Sequence, residues 1–313
     1  MVKNSEIRKP NLFIVGAPKC GTTSLCKYLE QHPQIYISPH KEPNYFGSDL
    51  VTNPRKPPMR LEEYLELFKE ADVSVVGEGS TWYLYSQTAP KDIISFSENS
   101  KILIVLRNPV DFLYSYHNQS LLELTEDITD FQEALLAETD RRKGLRIPKG
   151  CIRNFALYYR EVASFSKYVE NYLNLFGQDR VHIILFDDFV NSTSLVYRNI
   201  LKFLEVDDSF EANYSVYNSN TQIANVKAYR AVKRVKWWTQ TIGHQLKGLP
   251  FYYRLRKLNS RLFENKILST SFIKKSERPP LPENLRNELI QVFRPEIQRL
   301  EMVLSRNLSH WLT

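Results

Sequence analysis

Four short apolar runs punctuate this chain: Leu12–Val15, the stretch ending Val75-Val76, Ile102–Leu106 and Val181–Leu185. Each is a few residues long and rich in β-branched side chains, which predicts buried parallel strands near 11–16, 73–78, 101–106 and 181–186. Between and after them, apolar positions recur at helical spacing, predicting helices near 22–31, 60–70, 88–97, 109–121, 129–138, 152–176 and 192–204. Strand and helix in alternation predict an α/β fold, a central parallel sheet flanked by helices on both faces. Behind Pro279 and Pro280, Leu285, Leu289, Phe293, Ile297, Leu300 and Leu304 predict a pair of helices packed on that sheet. The expected organisation is one domain over 1–313, with an α/β core at 11–205, a basic helical cap at 206–277 and C-terminal helices at 278–313.

In parallel sheets ligands collect at the carboxyl ends of the strands, and the polar chemistry of this sequence gathers there. The first strand empties into Gly16-Ala17-Pro18-Lys19-Cys20-Gly21-Thr22-Thr23-Ser24 and then a helix. Free N–H groups and the positive end of the peptide dipoles make such a helix start an anion cradle, and Lys19 adds a charge. The spacing of Gly16 and Gly21 is that of the phosphate-binding pattern G-x-x-x-x-G-K-[ST], but Thr22 stands where that pattern has its lysine. Arg107 follows the third strand, just before Asn108-Pro109 opens a helix carrying Ser115. Its guanidinium suits a bidentate phosphate contact, with pairing to a structural carboxylate as the alternative.

Four ordered segments resemble the sulfotransferases that use 3′-phosphoadenosine 5′-phosphosulfate (PAPS). The 16–23 loop looks like their 5′-phosphosulfate loop. Lys41-Glu42-Pro43-Asn44-Tyr45-Phe46 is similar to their K-E-P-x-[FY]-F loop, Gly77–Tyr83 to G-E-K-[ST]-P-x-Y, and Lys101–Pro109 with Ser115 to the 3′-phosphate site. Weaker similarity runs through 181–189 and 278–312, and the motifs are closest to the glycan-modifying type. The resemblance implies a P-loop-like sulfotransferase fold with PAPS as co-substrate. It assigns PAPS contacts to Pro18, Lys19, Cys20, Gly21, Thr22, Thr23, Ser24, Arg107, Ser115 and Asn220, the last in a loop expected to close over the nucleotide.

An acceptor hydroxyl, or less readily an amine, must lose a proton as it attacks sulfur. The resemblance makes Glu42 the base, with His40 the near rival and His117 a weaker one. Lys19 is expected to neutralise charge on the bridging oxygen. His40, Lys41 and Glu78 are expected near the acceptor, Glu78 either orienting the loop or an acceptor hydroxyl or serving as a bonded strand-end carboxylate. Where the family pattern has lysine and proline, this chain has Gly79 and Thr81, which weakens the case for a heparan-like polyanionic acceptor.

The chain has 313 residues, 42% hydrophobic, with a net charge of +7. Much of the excess lies in 227–275, where Lys and Arg interleave with Trp237, Trp238, Phe251, Tyr252 and Tyr253 against the single acid Glu264. That composition suits an anionic glycan or lipid surface, or a solvated helical pair; no nucleic-acid-binding motif accompanies it. Cys20, Cys26 and Cys151 show no metal-ligand spacing, so no metal is expected. A reducing, cytoplasmic setting is expected from the sparse cysteines and the polar first eleven residues. Two other functions remain open from sequence: a P-loop nucleotide hydrolase or kinase using an acid at Asp187-Asp188, and a nucleotide-binding module without turnover.

Overall fold

The structure is a computed structural model and describes residues 8–50, 58–215, 221–223, 273–275 and 279–313. In chain order it runs β1 (Leu12–Gly16), α1 (Thr22–Leu29), β2 (Ile35–Ile37), α2 (Leu61–Glu66), β3 (Val75–Gly79), α3 (Ala89–Phe96), β4 (Lys101–Leu106) and α4 (Pro109–Glu123). There follow α5 (Phe131–Leu136), α6 (Glu138–Arg142), α7 (Tyr159–Val162), α8 (Phe165–Phe176), β5 (Val181–Leu185), α9 (Phe186–Asn191) and α10 (Thr193–Leu204). The last elements are β6 (Thr221–Ile223), β7 (Ile273–Lys275) and α11 (Glu283–Leu304). Strands β1 to β5 form one parallel sheet in the order β2-β3-β1-β4-β5. The central strands β1 and β4 are buried on both faces, as their continuous apolar sequences require.

The expected parallel α/β architecture is present, with corrections at its joints. β2 is an additional strand, only three residues long and enclosed by Pro33 and Pro39, too short for periodicity to show. The helix expected over 152–176 is broken into a 3₁₀ turn at Asn154–Leu157, α7 and α8, and that over 129–138 divides into α5 and α6. The C-terminal pair is one helix, α11, of 22 residues with Pro295 inside it. Tertiary contacts hold it through the proline. The next residue, Glu296, accepts bonds from the Ser166 backbone N–H (2.7 Å) and Oγ (2.9 Å) in the first turn of α8. The predicted apolar stripe from Leu285 to Leu300 faces inward.

By compactness the chain divides into residues 1–217 with 281–313, and residues 218–280. The boundary falls after 217 rather than 205 because 207–215 is tied to α1: the Tyr28 hydroxyl donates to Ser215 O (3.0 Å) and Gln31 Nε2 to Asn213 O (3.2 Å). In the smaller unit, expected to be helical, β6 and β7 pair antiparallel with Thr221 opposite Lys275. Asn220 and the basic stretch 227–272 lie outside the described residues. Among the described residues, no helix is long and apolar enough to cross a membrane.

Candidate active site

The loop after β1 is shaped by backbone conformations that few residues tolerate. Ala17 N–H donates to Val105 O (2.8 Å), tying the loop to β4; the chain then turns through Lys19 at φ 61° and Gly21 at φ 85° before α1 begins at Thr22. A β-carbon on Gly21 would stand 3.1 Å from the Phe186 ring, so both the dihedral and the space call for glycine. Gly21, the N-cap, has no side chain to cap α1 and no acidic residue occupies the first turn, which leaves the helix start electrostatically suited to an anion. Pro18 and Thr23 are half-buried, while Thr22, Ser24 and Cys20 are buried. Burial pushes the Cys20 thiol up to about 12, so its side chain is packing rather than a nucleophile. Lys19 Nζ donates to Gln119 Oε1 (3.2 Å) on α4, and Gln119 Nε2 donates in turn to Glu123 Oε1 (2.6 Å).

Arg107 emerges from β4 with its guanidinium 4.6 Å above the centre of the Phe186 ring. It enters no salt bridge among the described residues, so the carboxylate partner weighed from sequence is not found there. The ring that supports Arg107 is the one against which Gly21 packs; Phe186 thus joins the two expected anion sites. Asn108 caps α4 by accepting from Val110 N–H (2.9 Å), and Ser115 lies two turns along, buried. A half-buried loop of backbone N–H groups at a helix start, a lysine within it and an arginine uncommitted to a carboxylate among the described residues suit a nucleotide carrying both 5′- and 3′-anionic groups.

The loop 40–46 brings the proton-handling candidates to the same sheet end. Glu42 sits at φ 52°, with its side chain 31% exposed and Lys41 Nζ 3.8 Å from Oε1. Partial burial raises its carboxyl above the ordinary glutamate value, opposed by Lys41 and Arg153 and reinforced by Glu123. His40 and Lys41 are exposed, and the His40 ring is within 3.2 Å of the Lys41 carbonyl. His117 is removed from the contest: it is 3% exposed, with Nε2 2.9 Å from Ile128 O.

Glu78, expected either near the acceptor or as a loop-orienting, bonded strand-end carboxylate, is sealed inside the protein. It has no exposed surface and accepts from Ser80 Oγ (2.6 Å), Tyr83 OH (2.9 Å) and Tyr64 OH (3.1 Å). Burial lifts it to about 7 against the pull of those hydroxyls. Ser80 also receives the Asn44 N–H (3.1 Å) and Tyr83 OH the Phe46 N–H (3.1 Å), so Glu78 fixes the Glu42 loop through its hydroxyl partners. At neighbouring Gly79, a β-carbon would come within 3.0 Å of Cys26 Sγ, so a lysine here would require that side chain to move. Arg153, not foreseen from sequence, anchors through Nε to Leu50 O (3.1 Å) and stacks on Trp82 at 5.2 Å. The acids weighed for magnesium are otherwise engaged: Asp187 accepts from Trp311 Nε1 (2.6 Å) and Asp188 pairs with Arg306 (2.6 Å).

A family model described as "Sulfotransferase domain" matches residues 9–249. The chain belongs to the sulfotransferase family. Among curated relatives of this sulfotransferase chain, carbohydrate sulfotransferase 15 of Rattus norvegicus is 23% identical over 248 residues, covering 63% of this chain and 44% of that protein. Bifunctional heparan sulfate N-deacetylase/N-sulfotransferase 3 of Mus musculus is 26% identical over 214 residues, 66% of this chain and 23% of that protein. The chain spans less than half the length of these relatives. A crystal structure of a sulfotransferase from Alicyclobacillus acidocaldarius superposes with a TM-score of 0.70 at 27% identity, covering 98% of this chain and all of the other.

Proposed function

We propose that this sulfotransferase moves a sulfuryl group from PAPS to a hydroxyl-bearing acceptor, with glycans the first class to test. The carrying observation is the Phe186 ring, with the anion loop at Gly21 on one contact and the Arg107 guanidinium on another. Bound PAPS supplies an activated sulfuryl group on a phosphate leaving group. The Gly21, Thr22 and Thr23 N–H groups hold its 5′-phosphosulfate, and Arg107 and Ser115 take its 3′-phosphate. Lys19 places its ammonium where negative charge grows on the bridging oxygen. Glu42 accepts the proton of the attacking hydroxyl, while Glu78 and its hydroxyl shell keep the Glu42 loop in place.

The glycan reading draws on relatives named as carbohydrate and heparan sulfate sulfotransferases, and on the basic, aromatic composition of 227–275. Three cysteines, none in a disulfide, support a reducing compartment such as the cytoplasm. Calorimetric titration with 3′-phosphoadenosine 5′-phosphate tests the donor half. The protein should bind it, and Arg107→Ala should weaken binding by at least about tenfold; absence of binding to the unsubstituted chain overturns the proposal. An acceptor screen with labelled PAPS then identifies the second substrate.

A further inference from the structure

The last eight residues are fastened to the two positions that flank the Arg107 site. Trp311, 1% exposed, gives its carbonyl to Asn108 Nδ2 (3.1 Å) and donates Nε1 to Asp187 Oδ2 (2.6 Å). Asn108 is the residue after Arg107, and Asp187 the residue after Phe186, on whose ring Arg107 rests. His310 Nε2 stands 3.4 Å from the same Asp187 oxygen, and Arg306 grips Asp188 through both terminal nitrogens, at 2.6 and 2.8 Å. Trp311 therefore touches the sequence neighbours both of Arg107 and of the ring beneath it, which brings the Asp187 carboxylate to the corner where the guanidinium sits. A carboxylate in that corner with no other hydrogen-bond donor would compete for the guanidinium's N–H fork.

We propose that Trp311 is a positioning residue for donor specificity: its indole N–H holds the Asp187 carboxylate off Arg107, keeping the guanidinium available to a 3′-phosphate. The inference rests on the PAPS reading above and adds a residue from the far end of the chain to it. Loss of the indole donor leaves Asp187 only the longer His310 contact at 3.4 Å, and its carboxylate can then turn to Arg107 and compete with the phosphate for the same fork of N–H groups.

The test compares calorimetric affinities for 3′-phosphoadenosine 5′-phosphate and adenosine 5′-phosphate, which differ only in the 3′-phosphate. Trp311→Phe keeps the ring and removes the donor; it should weaken the first ligand about tenfold and leave the second unchanged. Asp187→Asn added to Trp311→Phe should restore the lost affinity. Asp187→Asn alone retains an oxygen for Trp311 while removing the charge, and should bind the 3′-phosphorylated nucleotide at least as tightly as the unsubstituted chain. Equal losses for both nucleotides in Trp311→Phe, no rescue in the double variant, or weaker 3′-phosphate binding by Asp187→Asn alone each overturn the proposal. The last arm decides even where Trp311→Phe does not fold. An unsubstituted chain with no preference between the two nucleotides would instead overturn the PAPS reading itself.

Discussion

Glu42 and Glu78 show how surroundings divide one residue type between chemistry and support. Glu42 keeps an exposed face with Lys41 as its ion-pair neighbour, and burial raises it above the ordinary 4.5 of a glutamate. As a base it must be ionised, so turnover should be lost as pH falls through that raised value, with the acidic limb of the pH–rate profile lying above 4.5. Glu42→Gln should depress turnover by about 10²–10⁴ with nucleotide affinity intact; surviving turnover would transfer the role to His40. Glu78 behaves differently because it is wholly buried. Its folded value of about 7 exceeds the unfolded 4.5, so the native state holds the extra proton between them. Its contribution to stability is therefore greatest below 4.5 and falls as pH rises towards 7, by on the order of 3 kcal/mol. Thermal melts should show that slope in the unsubstituted chain and lose it in Glu78→Gln. Sequence points to both glutamates through their motifs, but not to this division, because the turn that folds Ser80 and Tyr83 back onto Glu78, and the Tyr64 hydroxyl brought in from α2, are set by tertiary packing.

At the scale of elements, the sequence announces the strands that bear the site more clearly than the pieces that brace it. β1, β3, β4 and β5 are legible because buried parallel strands read as short apolar runs, and the residues after them follow from the chain direction. The breaks inside 152–176 are set by tertiary packing, so helical periodicity runs past them. Two substitutions probe the bracing. Gly21→Ala forces a β-carbon to 3.1 Å from Phe186 at φ 85°, and should cost about 1–3 kcal/mol of stability together with nucleotide affinity. Glu296→Ala removes both bonds to Ser166 and bares the first turn of α8; it should cost about 1–2 kcal/mol, seen as a melting-point drop of a few degrees. Because α8 packs far from the anion loop in sequence and carries none of the assigned donor contacts, Glu296→Ala should leave nucleotide affinity unchanged. Gly21→Ala should not.

Across the whole molecule, charge is distributed unevenly, and this bears on the acceptor more than on the donor. The donor contacts assigned to Lys19, Arg107 and the helix start lie in the α/β core, whereas the basic run of 227–275 supplies much of the net charge of +7. Local donor contacts in a partly buried site are weakly screened by salt, while attraction between an exposed basic surface and a polyanion falls off as the Debye length shortens. An acidic glycan acceptor should therefore show a KM that rises by roughly tenfold between about 50 and 300 mM salt with little change in kcat. Replacing Lys233, Arg234 and Lys236 together by Gln should flatten that dependence and leave the affinity for 3′-phosphoadenosine 5′-phosphate unaltered. The absence of a lysine at Gly79 pulls the other way, since an anionic acceptor then lacks one local cation to orient it beside Glu42. A KM independent of salt, with unchanged values in the triple variant, would move the acceptor to neutral hydroxyl compounds and make the basic run irrelevant to catalysis.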